Sequence, residues 1–245
     1  MSSSVQRKRI RKSPEARRAE IVDTAAAVAL AEGLECLTLR RIAEELDVRP
    51  GLISHYFPSV EDLVAEAFGT AAGAELEVLL PAGAAGQAGV AGQAGVAGHA
   101  GQAGVAGQAG VAGPPGADGD VPTPTGRLAR FFARTSGEAY DAISRLWINA
   151  RHLSRYRPLL RDRVAEQEAA WRGRLEGVIR EGVECGEFRT EDPNVTAIQI
   201  LVVLDGLGAH ANTEDRGRPE AVTRMAVTTA ERELGLPRGA LTGGA

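Results

Sequence analysis

The sequence predicts an all-α fold, with a small N-terminal helix-turn-helix unit followed by a larger helical domain. Three observations predict it. Outside one low-complexity stretch, apolar residues recur at intervals of three and four, the spacing that places them on one helical face. No segment alternates apolar and polar residues between turn signals, as a half-buried strand would. Helix starts and stops carry suitable residues, such as Ser13 before Pro14 and Gly33 after Glu32.

In chain order, Ile21, Ala25, Val28 and Ala29 form one face of a first helix that starts near Ser13 and stops at Gly33. Ser13 can cap it, and Pro14 sits in the first turn, where a missing N–H costs nothing. Thr38 caps a short second helix carrying Leu39, Ile42, Ala43 and Leu46. Asp47 and Val48 make a tight turn, and 49–57 is a third short helix with Ile53 and Phe57 facing inward. Ser59 caps a fourth, with Val60, Leu63, Val64, Ala67 and Phe68, running to about Leu80. Further helical patterns cover 125–135, 141–154, 158–184, 194–211 and 220–234. The stretch 197–209 is apolar nearly all round, broken by Gln199 and Asp205, so its helix is expected at the centre of a bundle or in a subunit interface.

Between the fourth and fifth helices, 13 glycines fall at every third position over 83–119. This is the collagen period, but proline is limited there to Pro114 and Pro115, far from the roughly 15–20% of a triple helix. A hexapeptide β-helix also fits poorly, because the valine spacing breaks between Val96 and Val105. A flexible, uncharged insert is the expected reading. Such a loop costs only about 1–2 kcal/mol in closure entropy. Deletion of 83–119 should therefore leave the assembly and the binding activity of the folded parts unchanged, as checked by sedimentation and a binding titration. The resulting division is a basic arm at 1–12, a helix-turn-helix domain at 13–58, a connecting helix at 59–81 and an insert at 82–124. A larger helical domain follows at 125–236, with a disordered tail at 237–245.

The 245 residues are 44% hydrophobic and 24% charged, with a formal net charge of -4, which argues against membrane and wholly disordered classes. Charge is uneven: 10 Lys/Arg face 8 Asp/Glu over 1–57, against 18 and 24 over the rest. The basic end is where an anionic partner would dock. Cys36 and Cys185 suggest neither a disulfide framework nor a zinc site, and a reducing compartment is expected. The apolar run 25–31 behind a basic segment imitates a secretion signal, but Glu20, Asp23 and Glu32 interrupt or bound it, so it reads as helix. No run approaches the roughly 18 residues of a membrane span; a cytoplasmic location and no membrane partner are expected.

A supporting helix, two short helices and a tight turn, preceded by a basic arm, are the layout of a DNA reader. Ile42, Ala43, Leu46, Val48, Ile53 and Phe57 can lock the short helices together. That leaves Arg49, Pro50, Gly51, Leu52, Ser54, His55 and Tyr56 on or near the outer side, with Gly51 allowing close backbone approach and Arg49 at the helix start. Arg7 and Arg9 in the arm would meet phosphates.

The strings Leu37-Thr38-Leu39-Arg40-Arg41-Ile42-Ala43-Glu44-Glu45-Leu46-Asp47-Val48, Gly51-Leu52-Ile53-Ser54-His55-Tyr56-Phe57 and Glu61-Asp62-Leu63 resemble the N-terminal domain of TetR-family transcriptional regulators. The form Ile53-Ser54-His55-Tyr56-Phe57 is most similar to the branch of choline-responsive betaine regulators, as are Arg145–Arg151 and Val203–Leu207 in the second domain. The resemblance implies a phosphate contact at Thr38, base-edge and backbone contacts from Arg49 to Leu52, and closing contacts from Ser54, His55 and Tyr56. Val60 stands where many members carry a phosphate-binding lysine, and Arg49 where a serine is common. Backbone affinity is thus expected to lean on the arm and on Arg40 or Arg41.

The implied protein is a homodimeric, ligand-released repressor on a near-palindromic double-stranded DNA operator. Its 158–184 and 194–211 helices would pair with their symmetry mates as a four-helix bundle, with Gly206 and Gly208 allowing close approach. The resemblance suggests a small cationic effector, held by rings and a carboxylate. Trp147, Tyr140, Phe131 and Asp205 are the leading candidates, with Phe132, Tyr156, Trp171 and Glu138 behind them; the same rings would suit an aromatic effector. His99, His152 and His210 lack partners at ligand spacing, so no metal and no cofactor is expected. No nucleophile elbow, phosphate loop or dinucleotide fingerprint is present, so an enzyme is not expected. A scaffold assembling through the glycine repeat is the alternative.

Overall fold

The computed structural model describes residues 12–82, 122–135, 138–211 and 219–242. Arg7, Arg9 and the glycine repeat lie outside them. Regular structure among the described residues is helical: α1 (Pro14–Glu32), a 3-10 turn (Leu34–Cys36), α2 (Leu39–Glu45), α3 (Pro50–Tyr56), α4 (Val60–Leu79), α5 (Pro124–Arg134), α6 (Glu138–Ser154), α7 (Pro158–Glu184), α8 (Pro193–Ala211), α9 (Glu220–Thr223) and α10 (Met225–Glu233).

Local chemistry sets the N-terminal elements. The Ser13 side chain accepts the Ala16 N–H at 3.2 Å, and Thr38 Oγ1 accepts the Arg41 N–H at 3.0 Å. Gly33 ends α1 at φ 96°, a left-handed conformation that glycine adopts without a Cβ penalty. Asp47 turns the chain at φ 50°, where a short polar side chain is tolerated, and the Val48 N–H closes the turn onto the Ala43 carbonyl at 2.9 Å.

Helix α1 packs on α4, and α4 continues along α7, so this one helix belongs to both halves of the molecule. The α4–α7 approach is close: a Cβ on Gly69 would come within 2.7 Å of Arg163 Cδ. Arg134 donates to the Val78 carbonyl and Arg174 to the Leu80 carbonyl, tying the end of α4 to α5 and α7. Helices α6 and α8 close the second half over α7, and one continuous apolar core runs from Ile21 to Leu241.

Four expectations need correction. The 220–234 helix is broken at Arg224 into α9 and α10. The second domain starts before 125, because Thr123 caps α5 by accepting the Gly126 N–H at 3.1 Å. The tail is not disordered over 237–242: Leu241 is buried, and buried Glu231 accepts the backbone N–H groups of Gly239 (2.9 Å) and Leu241 (3.0 Å). That acceptor pair satisfies donors that a solvated tail would give to water. Gly208 does not lie on an open face; its α-carbon abuts Ser144 of α6.

Candidate DNA reader and effector cavity

Ile53 and Phe57 are buried, so α3 can show only its other side to a partner. On that side Arg49, Pro50, Gly51, Ser54 and His55 are exposed, while Leu52 and Tyr56 are half-buried; Thr38 is exposed at the start of α2. A Cβ at Gly51 would meet nothing within 4 Å. Packing within the chain therefore does not require glycine there. Arg18 braces the reader from behind, its guanidinium 4.8 Å from the Phe57 ring centroid and paired with Glu66 of α4.

The basic residues around the reader differ in availability. Arg40 is paired with Glu44 (2.7 Å), and Arg41 with Glu45 (2.6 Å) and Glu32 (2.7 Å). Phosphate contacts by either would compete with these carboxylates, which hold the Arg41 guanidinium pKa above its ordinary value. Arg49 is exposed and has no carboxylate partner among the described residues.

The second half holds a cavity of about 270 Å³ between α4, α5, α6, α7 and α8. Phe131, Tyr140, Trp147 and Asp205 all line it, as does Trp171. Phe132 is buried against Phe131 outside the lining, and Tyr156 is exposed beside His152, so neither reaches it. The Glu138 side chain lies outside the described residues. Trp147 is both wall and core: it meets Phe68 edge-to-face at 5.0 Å and carries the Arg151 guanidinium 5.0 Å from its centroid.

Sequence reasoning missed the cavity's chief carboxylate. Glu75, on α4, accepts the Trp147 indole N–H at 3.0 Å. Burial pushes its pKa up to about 7, against the lowering effect of the indole bond and with a further push from Asp205. Asp205 is not a free counter-charge, since Arg151 bonds both Asp205 and Glu168 at 2.9 Å. With Arg172 at the exposed rim, three carboxylates meet two guanidinium groups, leaving an excess of one negative charge when all are ionised. Burial and the charges of Glu75 and Asp205 also raise the Tyr140 hydroxyl pKa, keeping it a neutral donor.

An apolar face is left open on α8, where Val195, Ile198 and Val202 are exposed and Gly206 has open space before its α-carbon. Ala165, Ala169 and Gly173 of α7 are exposed as well. Among the described residues there is no cluster of His, Cys, Asp or Glu able to hold a metal ion, and no helix long and apolar enough to cross a membrane.

Comparison with known proteins follows the same division. Residues 21–67 match the family described as bacterial regulatory proteins, tetR family, and residues 128–235 match the BetI-type transcriptional repressor C-terminal domain. Among solved structures, a transcriptional regulator from Saccharomonospora viridis in complex with choline is similar at 19% identity and a TM-score of 0.62, covering 89% of this chain and 97% of that one. A TetR transcription regulator from Haloarcula marismortui is similar at 16% identity and TM-score 0.60, covering 89% and 96%. The reduced form of NemR from E. coli is similar at 15% and 0.61, covering 90% and 98%. No curated protein sequence matches the chain.

Proposed function

We propose, from the premise that this chain belongs to the TetR family of bacterial regulatory proteins, a ligand-responsive transcriptional repressor that acts as a homodimer on a near-palindromic operator. Its location is the cytoplasm, and its work is binding rather than catalysis. The open apolar face of α7 and α8 supports pairing with a second copy, which sets two α3 readers about 34–36 Å apart, one turn of DNA. The glycine-repeat scaffold has no support in the family matches. Arg49, Pro50, Gly51 and Leu52 read base edges and backbone, Ser54, His55 and Tyr56 close the contact, and Thr38 with Arg7 and Arg9 holds phosphates.

The effector is a small organic cation bound by Phe131, Tyr140, Trp147 and Glu75, with Asp205 and Arg151 at one end. The observation that carries this is Glu75: a largely desolvated carboxylate held among rings and bonded by the Trp147 indole N–H. Aromatic faces and a carboxylate suit a cation better than a neutral ring system. The relative crystallised with choline fits the same reading.

The test has two arms. DNA retained by the purified protein is sequenced, and the enriched duplex is titrated at several salt concentrations. Sequence-selective binding that weakens steeply with salt is expected; indifference to sequence at moderate salt would reject the regulator reading. Arg49→Ala should lose about 1–3 kcal/mol of discrimination at one base pair, whereas Arg9→Ala should weaken all duplexes alike. Calorimetry with choline and with tetramethylammonium forms the second arm. No heat from either, together with operator release by a neutral aromatic compound, would replace the cation by that class.

A further inference from the structure

Helix α6 lines the cavity and also touches the 3-10 turn between α1 and α2. Its cavity side carries Tyr140, Ser144, Trp147, Ile148 and Arg151. Between these, half-buried Asn149 points the other way, to the 3-10 turn at Leu34–Cys36. Its Oδ1 accepts the Leu34 N–H at 2.9 Å, and its Nδ2 donates to Glu35 Oε1 at 2.5 Å. The turn is short and constrained on both sides: Gly33 precedes it at φ 96°, and buried Leu37 and the Thr38 cap follow it directly.

We propose that Asn149 is a positioning residue that couples the cavity to the DNA reader by clasping the 3-10 turn to α6. The inference rests on the repressor reading. Both bonds of the clasp end on one amide group, so a shift of α6 must either drag the turn with it or break both bonds. Leu34 is fully buried and its N–H would lose its acceptor, leaving a buried donor without the hydrogen bond that water would otherwise supply. Dragging is therefore the cheaper response to small shifts. The turn leads within two residues to Thr38 and α2, so displacement of the cavity wall reaches the reader without passing through α4. Two sites coupled through a bistable contact are what an inducible repressor requires.

The coupling can be tested without an effector. A Cβ at position 208 would stand 3.1 Å from Ser144 Oγ and 3.2 Å from its Cβ, so Gly208→Ala pushes α6 from the cavity side by a few tenths of an ångström. Gly208→Ala, Asn149→Ala and the double variant are titrated against the duplex enriched from retained DNA. Gly208→Ala is expected to weaken operator binding about fivefold or more in the parent and less than twofold in the Asn149→Ala background. Glu35→Gln, which keeps an acceptor for Nδ2, should behave as the parent. Hydrogen exchange gives a second readout that needs no DNA: Gly208→Ala should speed exchange at 34–37 only when Asn149 is present. Equal effects of Gly208→Ala in both backgrounds, or none in the parent, would overturn the clasp. A protein that retains no DNA would instead reject the repressor reading, and the exchange measurement would still decide the clasp.

Discussion

Phe68→Ala is expected to destabilise the protein by about 3–5 kcal/mol, enough to bring a domain of ordinary stability close to unfolding. Phe68 is fully buried on α4, at the level where α4 passes from α1 to α6 and α7. Its edge-to-face partner is Trp147, which is in turn fixed by the Glu75 carboxylate and by Arg151. Truncation removes a ring's worth of dispersion contacts and leaves a void beside a tryptophan that cannot move without breaking its bond to Glu75. Phe68→Leu keeps most of the volume and should cost far less. Urea denaturation followed by tryptophan fluorescence measures both. A loss below 1 kcal/mol for Phe68→Ala would mean that α4 and α6 close up freely, and that the Trp147 wall is soft rather than preformed.

What sequence could show of this arrangement followed from local chemistry. Ser13, Thr38 and Ser59 were legible as helix caps because a cap acts on its own helix, and Ile53 and Phe57 as inward-facing because their spacing alone fixes the face. The rings of the cavity were legible for a different reason: they are few, and four of the expected residues converge on one space. Glu75 was not. In sequence it sits in an alanine- and leucine-rich helix beside Glu77, and nothing local separates the two. Only packing does, since Glu77 pairs with Arg174 on the outside while Glu75 faces Trp147 across the cavity. Asp205 does line the cavity, but its neutralising partner Arg151 was not legible, because it lies 54 residues earlier on another helix. Gly208 was likewise assigned to a subunit seam by its neighbour Gly206; one residue pair in a helix points two ways, and only Gly206 faces open space. The order over 237–242 depends on a single buried acceptor, Glu231, whose role no pattern in the tail announces.

Glu75→Gln is expected to act in opposite directions on folding and on effector binding, and that opposition identifies its role. The folded-state pKa of Glu75, about 7, stands above the ordinary 4.5, so the folded protein holds its proton more tightly than the unfolded chain. Stability from this group is complete below about pH 4.5 and is lost as pH rises through about 7. Two and a half pKa units correspond to about 3 kcal/mol at pH 8. A neutral glutamine can still accept the Trp147 indole N–H and escapes that penalty, so unliganded Glu75→Gln should be more stable than the parent at pH 8 by up to about 3 kcal/mol, and indistinguishable from it near pH 4.5. Binding of an organic cation draws on the ionised form, so the parent's affinity for choline should climb with pH up to about 7 and level off above it. In Glu75→Gln that climb should vanish and the affinity should fall about 30-fold or more, in line with a cost of about 2–5 kcal/mol for removing one member of a desolvated charge pair. Denaturation curves at pH 4.5 and 8, with calorimetry at both ends of the range from pH 5.5 to 8, read the two effects separately. If stability and affinity fall together, Glu75 is a structural partner of Trp147; if affinity is unchanged at pH 8, the cavity does not use this carboxylate and the cation reading fails.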